Sequence, residues 1–429
     1  MTHQSRTLHV AGLARVEGEG ALHVRTKGAR VEEVRLNIYE PPRFFEALLR
    51  GRDYREPPDI TARICGICPV AYQMSACRAV EDACGVEVDG QLRALRRLLY
   101  CGEWISSHAL HIYLLHAPDF LGFPDGIAMA RAQRSLVERG LALKKAGNSV
   151  MSAIGGRAIH PVNVRLGGFY RVPTAAELRP LAEQLRQALD DAVATVGWVS
   201  GFDFPDLDVP HRLMALRDTS GYPLDRGIPH VTTGRSFPPA EFSSHVVEHQ
   251  VPHSTALHAR LDGQLFLVGP LARYSLNSDR LSPVAAQVAT AAGLGAQCLN
   301  PFRSIVVRAV EVVYAVEEAL RIIADYERPK PFIEVDHRAG VGHGTTEAPR
   351  GLLYHRYELD AGGAVLSADI VPPTSQNQAA IEDDLTHLVT GALGLDDHAL
   401  THLCEQAIRN YDPCISCSAH FLDLTVERG

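Results

Sequence analysis

Apolar side chains return every three or four positions along four long stretches of the chain, the mark of helices with one buried face. The clearest stretch runs from Leu92 to about His116 and carries Leu95, Leu98, Leu99, Trp104, Ile105, Ala109, Ile112 and Leu115. Similar patterns cover about 126–154 and about 174–198. A fourth begins near Ser282, is interrupted at Pro301 and resumes to about Tyr326. Two shorter helices are predicted over 42–50 and 69–84. In the second, Pro69 suits a first turn that needs no N–H. Apolar and β-branched clusters between glycines predict strands at 7–10, 20–24 and 31–36, and a hairpin over 352–371 turning at Gly362-Gly363. Residues 204–281 are rich in Pro, His and Gly, with short strand-like runs such as Leu265-Phe266-Leu267-Val268.

Long helices with apolar faces predict a bundle core. The expected fold class is α+β, mainly α, with small β-rich regions at the periphery. Without internal repeats or low-complexity tracts, the chain reads as one large domain over 1–429. Within it, 1–60 is β-rich, 61–200 and 282–330 supply the helical core, 204–281 is an irregular or β insertion, and 331–429 is a C-terminal region.

A hydrophobic share of 46% and a charged share of 21% over 429 residues suit a globular protein with a sizeable core. The net charge of −8 argues against nucleic-acid binding, which needs concentrated Lys and Arg. Residues 1–20 lack the apolar stretch of a secretory signal. No run of about eighteen apolar residues occurs, so no membrane insertion is expected. Nine cysteines, an odd number, point to a reducing, cytoplasmic compartment rather than a disulfide framework. Cys77, Cys84, Cys101, Cys298 and Cys404 read as small buried hydrophobes.

The other four cysteines change the picture. Cys65-Gly66-Ile67-Cys68 and Cys414-Ile415-Ser416-Cys417 offer thiols that can converge on one metal. The first pair precedes Pro69 at a helix start, where first-turn N–H groups favour a thiolate. Structural zinc sites usually draw both pairs from one local unit, and these two lie about 350 residues apart. Spacing alone leaves open structural zinc and two unrelated, unliganded pairs.

The flanking sequence resembles the large, catalytic subunit of nickel–iron hydrogenases along nearly the whole chain. The matching segments are Arg15-Val16-Glu17-Gly18, Arg43-Phe44-Phe45-Glu46, Gly51-Arg52-Asp53 and Arg63-Ile64-Cys65-Gly66-Ile67-Cys68. They continue through Gly155-Gly156-Arg157-Ala158-Ile159-His160-Pro161, Glu347-Ala348-Pro349-Arg350-Gly351 and Pro373-Thr374-Ser375-Gln376-Asn377, and close on Asp412-Pro413-Cys414-x-x-Cys417-x-x-His420.

The resemblance implies that Cys65, Cys68, Cys414 and Cys417 hold nickel, with Cys68 and Cys417 also bridging to an iron that carries carbon monoxide and cyanide. It implies reversible heterolytic cleavage of dihydrogen, with Cys414 and then Glu17 taking the proton. Arg350 would stand over the open metal position and donate to cyanide, held by Asp412. Thr374 matches a hydroxyl that bonds cyanide. Glu46 and His420 match ligands of a second metal, magnesium or iron.

Two positions depart from many relatives. Tyr72 stands where a His donates to a bridging thiolate, and Ser107 where an Asp is a second carboxylate partner for Arg350. The run Ile67-Cys68-Pro69-Val70-Ala71-Tyr72-Gln73-Met74 resembles the cytoplasmic NAD(P)-linked, or sulfhydrogenase, branch. The chain carries no other Fe–S motif and no Gly-x-Gly-x-x-Gly loop. Electrons would therefore leave through an Fe–S small subunit, then flavin and ferredoxin-like subunits that reach NAD(P). Alternatives are a deazaflavin-linked hydrogenase and a non-hydrogenase protein whose four paired cysteines hold a structural zinc. The quinone-binding relative in respiratory complex I lacks the four thiols. The family also implies maturation proteins and an endopeptidase that removes a C-terminal peptide, here 421–429.

Overall fold

The computed structural model describes residues 5–41, 44–208, 211–219 and 221–419. Arg43, His420 and the 421–429 peptide lie outside the described residues. The chain opens as an antiparallel sheet, β1 (Ser5–Val10), β2 (Gly20–Lys27) and β3 (Arg30–Ile38), paired in that order. Two single-turn helices follow, α1 (Phe45–Leu49) and α2 (Pro57–Thr61). Then come α3 (Pro69–Cys84) and α4 (Gly90–Leu110).

The predicted helix over 92–116 is α only as far as Leu110. His111–His116 wind as a π-helix before α5 (Ala117–Phe120). Here tertiary contacts compete with the helical ladder. Arg15 Nη1 donates to Leu115 O at 2.8 Å, and His111 Nε2 bonds Arg409 O at 2.8 Å.

The continuous helix expected over 126–154 is two helices, α6 (Gly126–Ala132) and α7 (Arg134–Gly155). They meet at Gln133, whose φ of −129° and ψ of 53° leave the helical region. Each half has its own partners: α6 packs on the π-helix and α7 runs along α4. After the short strands β4 (Val164–Arg165) and β5 (Gly168–Phe169), α8 (Ala175–Val199) starts from a capping box between Thr174 and Glu177.

The 204–281 region holds β6 (Arg212–Arg217), β7 (Ile228–Val231), α9 (Phe242–His245) and the hairpin β8 (Val246–Val251) with β9 (Ser254–Leu261). It also holds β10 (Phe266–Leu267), which pairs in parallel with β6. It is less irregular than its composition suggests, because α10 (Pro270–Asn277) is a buried helix within it. Helices α11 (Pro283–Ala291) and α12 (Ser304–Ala324) bracket the expected break. The largest apolar core is built by α3, α4, α7, α8 and α12.

Beyond 331 the chain forms an antiparallel sheet, β11 (Gly340–Ala348), β12 (Gly351–Leu359) and β13 (Val365–Val371). It ends in α13 (Pro373–Gly391), α14 (Asp397–Asn410) and the single turn α15 (Ile415–Ser418). Strand β11 lies flush on α3: a Cβ at Gly342 would overlap the Ala79 carbonyl oxygen, and one at Gly344 the Ser75 carbonyl oxygen. Among the described residues no helix is long and apolar enough to cross a membrane.

Candidate metal centre

The two cysteine pairs come from opposite ends of the chain and meet in the interior. Cys68 occupies the N-cap of α3 with Pro69 behind it. Cys414 follows α14, tied to the N-terminal loop because Ile415 N–H donates to Glu17 O at 3.0 Å. The sulfurs of Cys65 and Cys414 are 3.4 Å apart, those of Cys68 and Cys417 3.9 Å, and those of Cys414 and Cys417 2.8 Å. All four lie within 4.8 Å of one another and are buried.

Hydrogen bonds from Cys414 and then Cys417 pull Cys65 well below the usual thiol range, whereas burial pushes Cys414 well above it. Further negative charge on the buried thiols is costly until a cation neutralises it. The N-terminus of α3 contributes less than its position suggests. Its Val70 and Ala71 N–H groups donate to the buried Glu103 carboxylate at 2.6 and 3.1 Å, not to a thiolate.

Arg350 sits in the two-residue turn between β11 and β12, closed by the Ala348–Gly351 pair. Gly351 has φ 139°, and a Cβ there would lie 2.7 Å from Val268 Cγ2, so glycine is required. The buried guanidinium donates to Asp412 O at 2.7 Å and Asp412 Oδ1 at 3.0 Å. Its Nη1 and Asp412 Oδ2 have no hydrogen-bond partner. Asp412 adopts a left-handed φ of 49°, uncommon for a non-glycine residue and held here by its two bonds from Arg350.

Cys414 Sγ donates to Glu17 Oε2 at 3.2 Å, and Ser416 N–H donates to the same oxygen at 3.0 Å. Thr374 Oγ1 accepts the Cys414 N–H at 3.0 Å and keeps its own proton to donate. Tyr72 and Ser107 are buried with unpartnered hydroxyls. Burial and the neighbouring Cys417 and Cys68 push the Tyr72 phenol well up.

Glu46 lies apart from Arg350, in a cavity of about 340 Å³ bounded by Phe45, Ile64, Ile370, Ser416 and Cys417. Burial raises its carboxyl to about 7 against the Ile370 N–H that donates to it at 2.7 Å. Glu248 nearby is raised to about 8, by burial first and by Glu46 and Asp369 in addition. Crowded carboxyls of this kind suit a hard cation. His420, the other expected ligand, lies outside the described residues.

Known proteins are similar to this chain along nearly its whole length. Residues 43–149 match the family model described as nickel-dependent hydrogenase. The chain is 35% identical to sulfhydrogenase 1 subunit alpha of Pyrococcus furiosus over 417 residues, covering 96% of this chain and 97% of that protein. The chain belongs to the nickel-dependent hydrogenase family. This hydrogenase is also 35% identical to sulfhydrogenase 2 subunit alpha of the same organism, over 96% of this chain and 98% of that one. Its fold superimposes on a crystal structure of an NAD+-reducing nickel–iron hydrogenase in the H2-reduced state. The TM-score is 0.88 at 26% identity, over 97% of this chain and 99% of that one.

Behind the hydrogenase centre lie residues that sequence reasoning passed over. Glu103 accepts the first-turn N–H groups of α3, the helix that Cys68 precedes. Arg273 uses all five of its N–H groups: two on Glu311, and one each on Glu347, Ala348 O and Pro349 O. The last two carbonyls belong to the residues before Arg350, so Arg273 positions that turn. A carboxylate inside an otherwise apolar run, Leu98-Leu99-Tyr100-Cys101-Gly102-Glu103-Trp104, was the available signal for Glu103. The five remaining cysteines are buried singly, and burial raises Cys77 and Cys404 to about 12.

Proposed function

We propose that this chain is the catalytic subunit of a cytoplasmic hydrogenase that exchanges electrons between dihydrogen and NAD(P). The observation that carries the reading is the meeting of four buried thiols beneath a buried arginine with one free N–H face. Soft thiolates suit nickel and low-spin iron. Arg350 Nη1 and the Thr374 hydroxyl offer donors for cyanide ligands on that iron. When bound, a nickel–iron centre supplies the heterolytic splitting of dihydrogen.

The chain's own groups then handle the proton. Cys414 Sγ receives it and passes it across 3.2 Å to Glu17 Oε2, which the Ser416 N–H holds in place. Arg350 keeps a fixed positive charge beside the thiolates, and Asp412 fixes its orientation. Glu46 would hold magnesium or iron at the second site together with His420. Among the described residues the sole all-cysteine metal group is Cys65, Cys68, Cys414 and Cys417, so electrons leave through partner chains. Relatives named as alpha subunits and an NAD+-reducing relative favour an Fe–S small subunit followed by flavin subunits.

The test is metal analysis and infrared spectroscopy of the purified assembled enzyme, with dihydrogen-dependent reduction of NAD+, NADP+ and a deazaflavin. Nickel equal to the iron that remains after cluster iron is subtracted, carbon monoxide and cyanide bands, and nucleotide reduction are expected. Zinc in place of nickel, with no dihydrogen turnover, would overturn the reading. Turnover with the deazaflavin alone would overturn the nucleotide assignment.

A further inference from the structure

Two imidazoles converge on one carboxylate well away from the sulfur centre. His253 sits in the turn of the β8–β9 hairpin, His258 lies farther along β9, and Glu382 projects from α13. His253 Nε2 is 2.8 Å from Glu382 Oε1, and His258 Nδ1 is 3.9 Å from Oε2. The rings stand perpendicular with centroids 5.6 Å apart, and one donor atom from each of the three residues lies within 4.8 Å of the others.

We propose that His253, His258 and Glu382 form a second transition-metal site, of the kind that takes zinc with a water as fourth ligand. Two nitrogens and a carboxylate match zinc and similar borderline cations, whereas magnesium and calcium prefer all-oxygen sets. Zinc bonds of ~2.0–2.2 Å put donor atoms about 3.5 Å apart, so the 2.8 Å His253–Glu382 pair would open and the 3.9 Å His258–Glu382 pair would close, each by less than about 1 Å.

A simple His–Glu hydrogen bond explains His253 but not His258. That ring is buried, its Nε2 has no hydrogen-bond partner, and its Nδ1 is too far from Oε2 to bond it. Leu36 N–H donates to Glu382 Oε1 at 2.8 Å and orients the carboxylate. His253 and Glu382 keep 18% and 17% of their side-chain surface exposed, which gives an ion a way in. Arg35 near Glu382 and Arg260 near His258 are the opposing charges.

The site is separate from the Glu46 cavity. Ser375, which bonds Glu248 beside that cavity, is seven residues earlier on α13, about 10 Å along the helix axis. The neighbouring trio His211, Asp383 and Asp384 differs in kind, because Asp384 is already bonded by both His211 and Tyr411. A metal at the proposed site would pin the β8–β9 hairpin to α13 and β3. Ala256 of that hairpin bridges Ala419 beside the second cysteine pair.

The test uses the matured, nickel-loaded enzyme, stripped of loosely held metal by a chelator and equilibrated with zinc. The parent is expected to hold one more zinc per chain than His258→Ala or Glu382→Gln and to gain a zinc-dependent rise in thermal midpoint that both variants lose. Nickel content stays unchanged. Asp383→Asn, as a control, keeps the zinc. Equal zinc content and equal thermal response in parent and variants would overturn the proposal, as would loss of zinc in Asp383→Asn alone. Should the variants fail to fold, zinc-edge absorption of the parent decides. Imidazole scattering in a nitrogen and oxygen shell supports the site, and a sulfur shell or no bound zinc sinks it.

Discussion

Two buried arginines, Arg350 within one short turn and Arg273 bonded to carbonyls of the residues before it, are treated in opposite ways. Every N–H of Arg273 is matched, and its guanidinium stacks 4.4 Å from the Trp104 ring centre. Its partner Glu311 is in turn bonded by Tyr222 and His108. Arg350 leaves Nη1 unmatched, and Asp412 Oδ2 and the Tyr72 hydroxyl beside the sulfurs are also unmatched. A buried polar group without a partner costs about 1–3 kcal/mol, so folds tolerate several together only where something else supplies the partners. Saturation marks Arg273 as scaffold, and its lack marks Arg350 as a group kept for a ligand.

The sharpest way to break the contrast is at the sulfurs. Cys414→Ser is expected to abolish dihydrogen turnover and nickel retention together, read by hydrogen uptake and elemental analysis. Next comes the scaffold. Glu311→Gln removes the one of Arg273's two carboxylate partners that takes two of its N–H groups, and should lower unfolding free energy by about 3–5 kcal/mol in a denaturant titration.

The same carboxylate has a pH signature. Burial alone would raise it, but Arg273 and then His108 hold it at about 2. A depressed carboxylate stabilises fully above its ordinary value of 4.5 and loses that contribution as the pH falls towards about 2. Acid unfolding of Glu311→Gln should therefore lack this component.

Arg350→Lys tests the other arginine. Activity should fall about 10²–10³-fold while stability and nickel content hold, because a lysine keeps the charge and loses the planar fork. Tyr72→Phe is the mildest change. Turnover should fall by about 10-fold, up to 100-fold, if the phenol serves a bridging thiolate, and stability should hold or rise because an unmatched hydroxyl is removed. A Tyr72→Phe enzyme with full activity would leave the phenol as mere packing.

What could be read from the residues divides along the same line. The cysteine pairs were legible from their spacing, and Arg350, Asp412, Glu17 and Thr374 only through the family resemblance of the motifs that hold them; the fold brings the two pairs and these four residues together. The scaffold was not. Glu103, Arg273 and Glu311 act through tertiary contacts, and nothing beside them in the chain reports those partners. The long helices were legible from their period. The break at Gln133 was not, because it carries no glycine or proline and follows from docking on two different neighbours. Strand β11 was missed for a plainer reason: Gly340, Gly342 and Gly344 give it the look of a loop.

Those glycines have a further consequence. Cys68 is the N-cap of helix α3, and β11 leads directly into the turn that carries Arg350. Main chain touches main chain between them, so the distance from guanidinium to sulfur is gauged by covalent geometry and atomic radii rather than by interlocking side chains. Drift in the surrounding apolar residues can loosen or tighten the rest of the interior over evolutionary time without resetting that gauge.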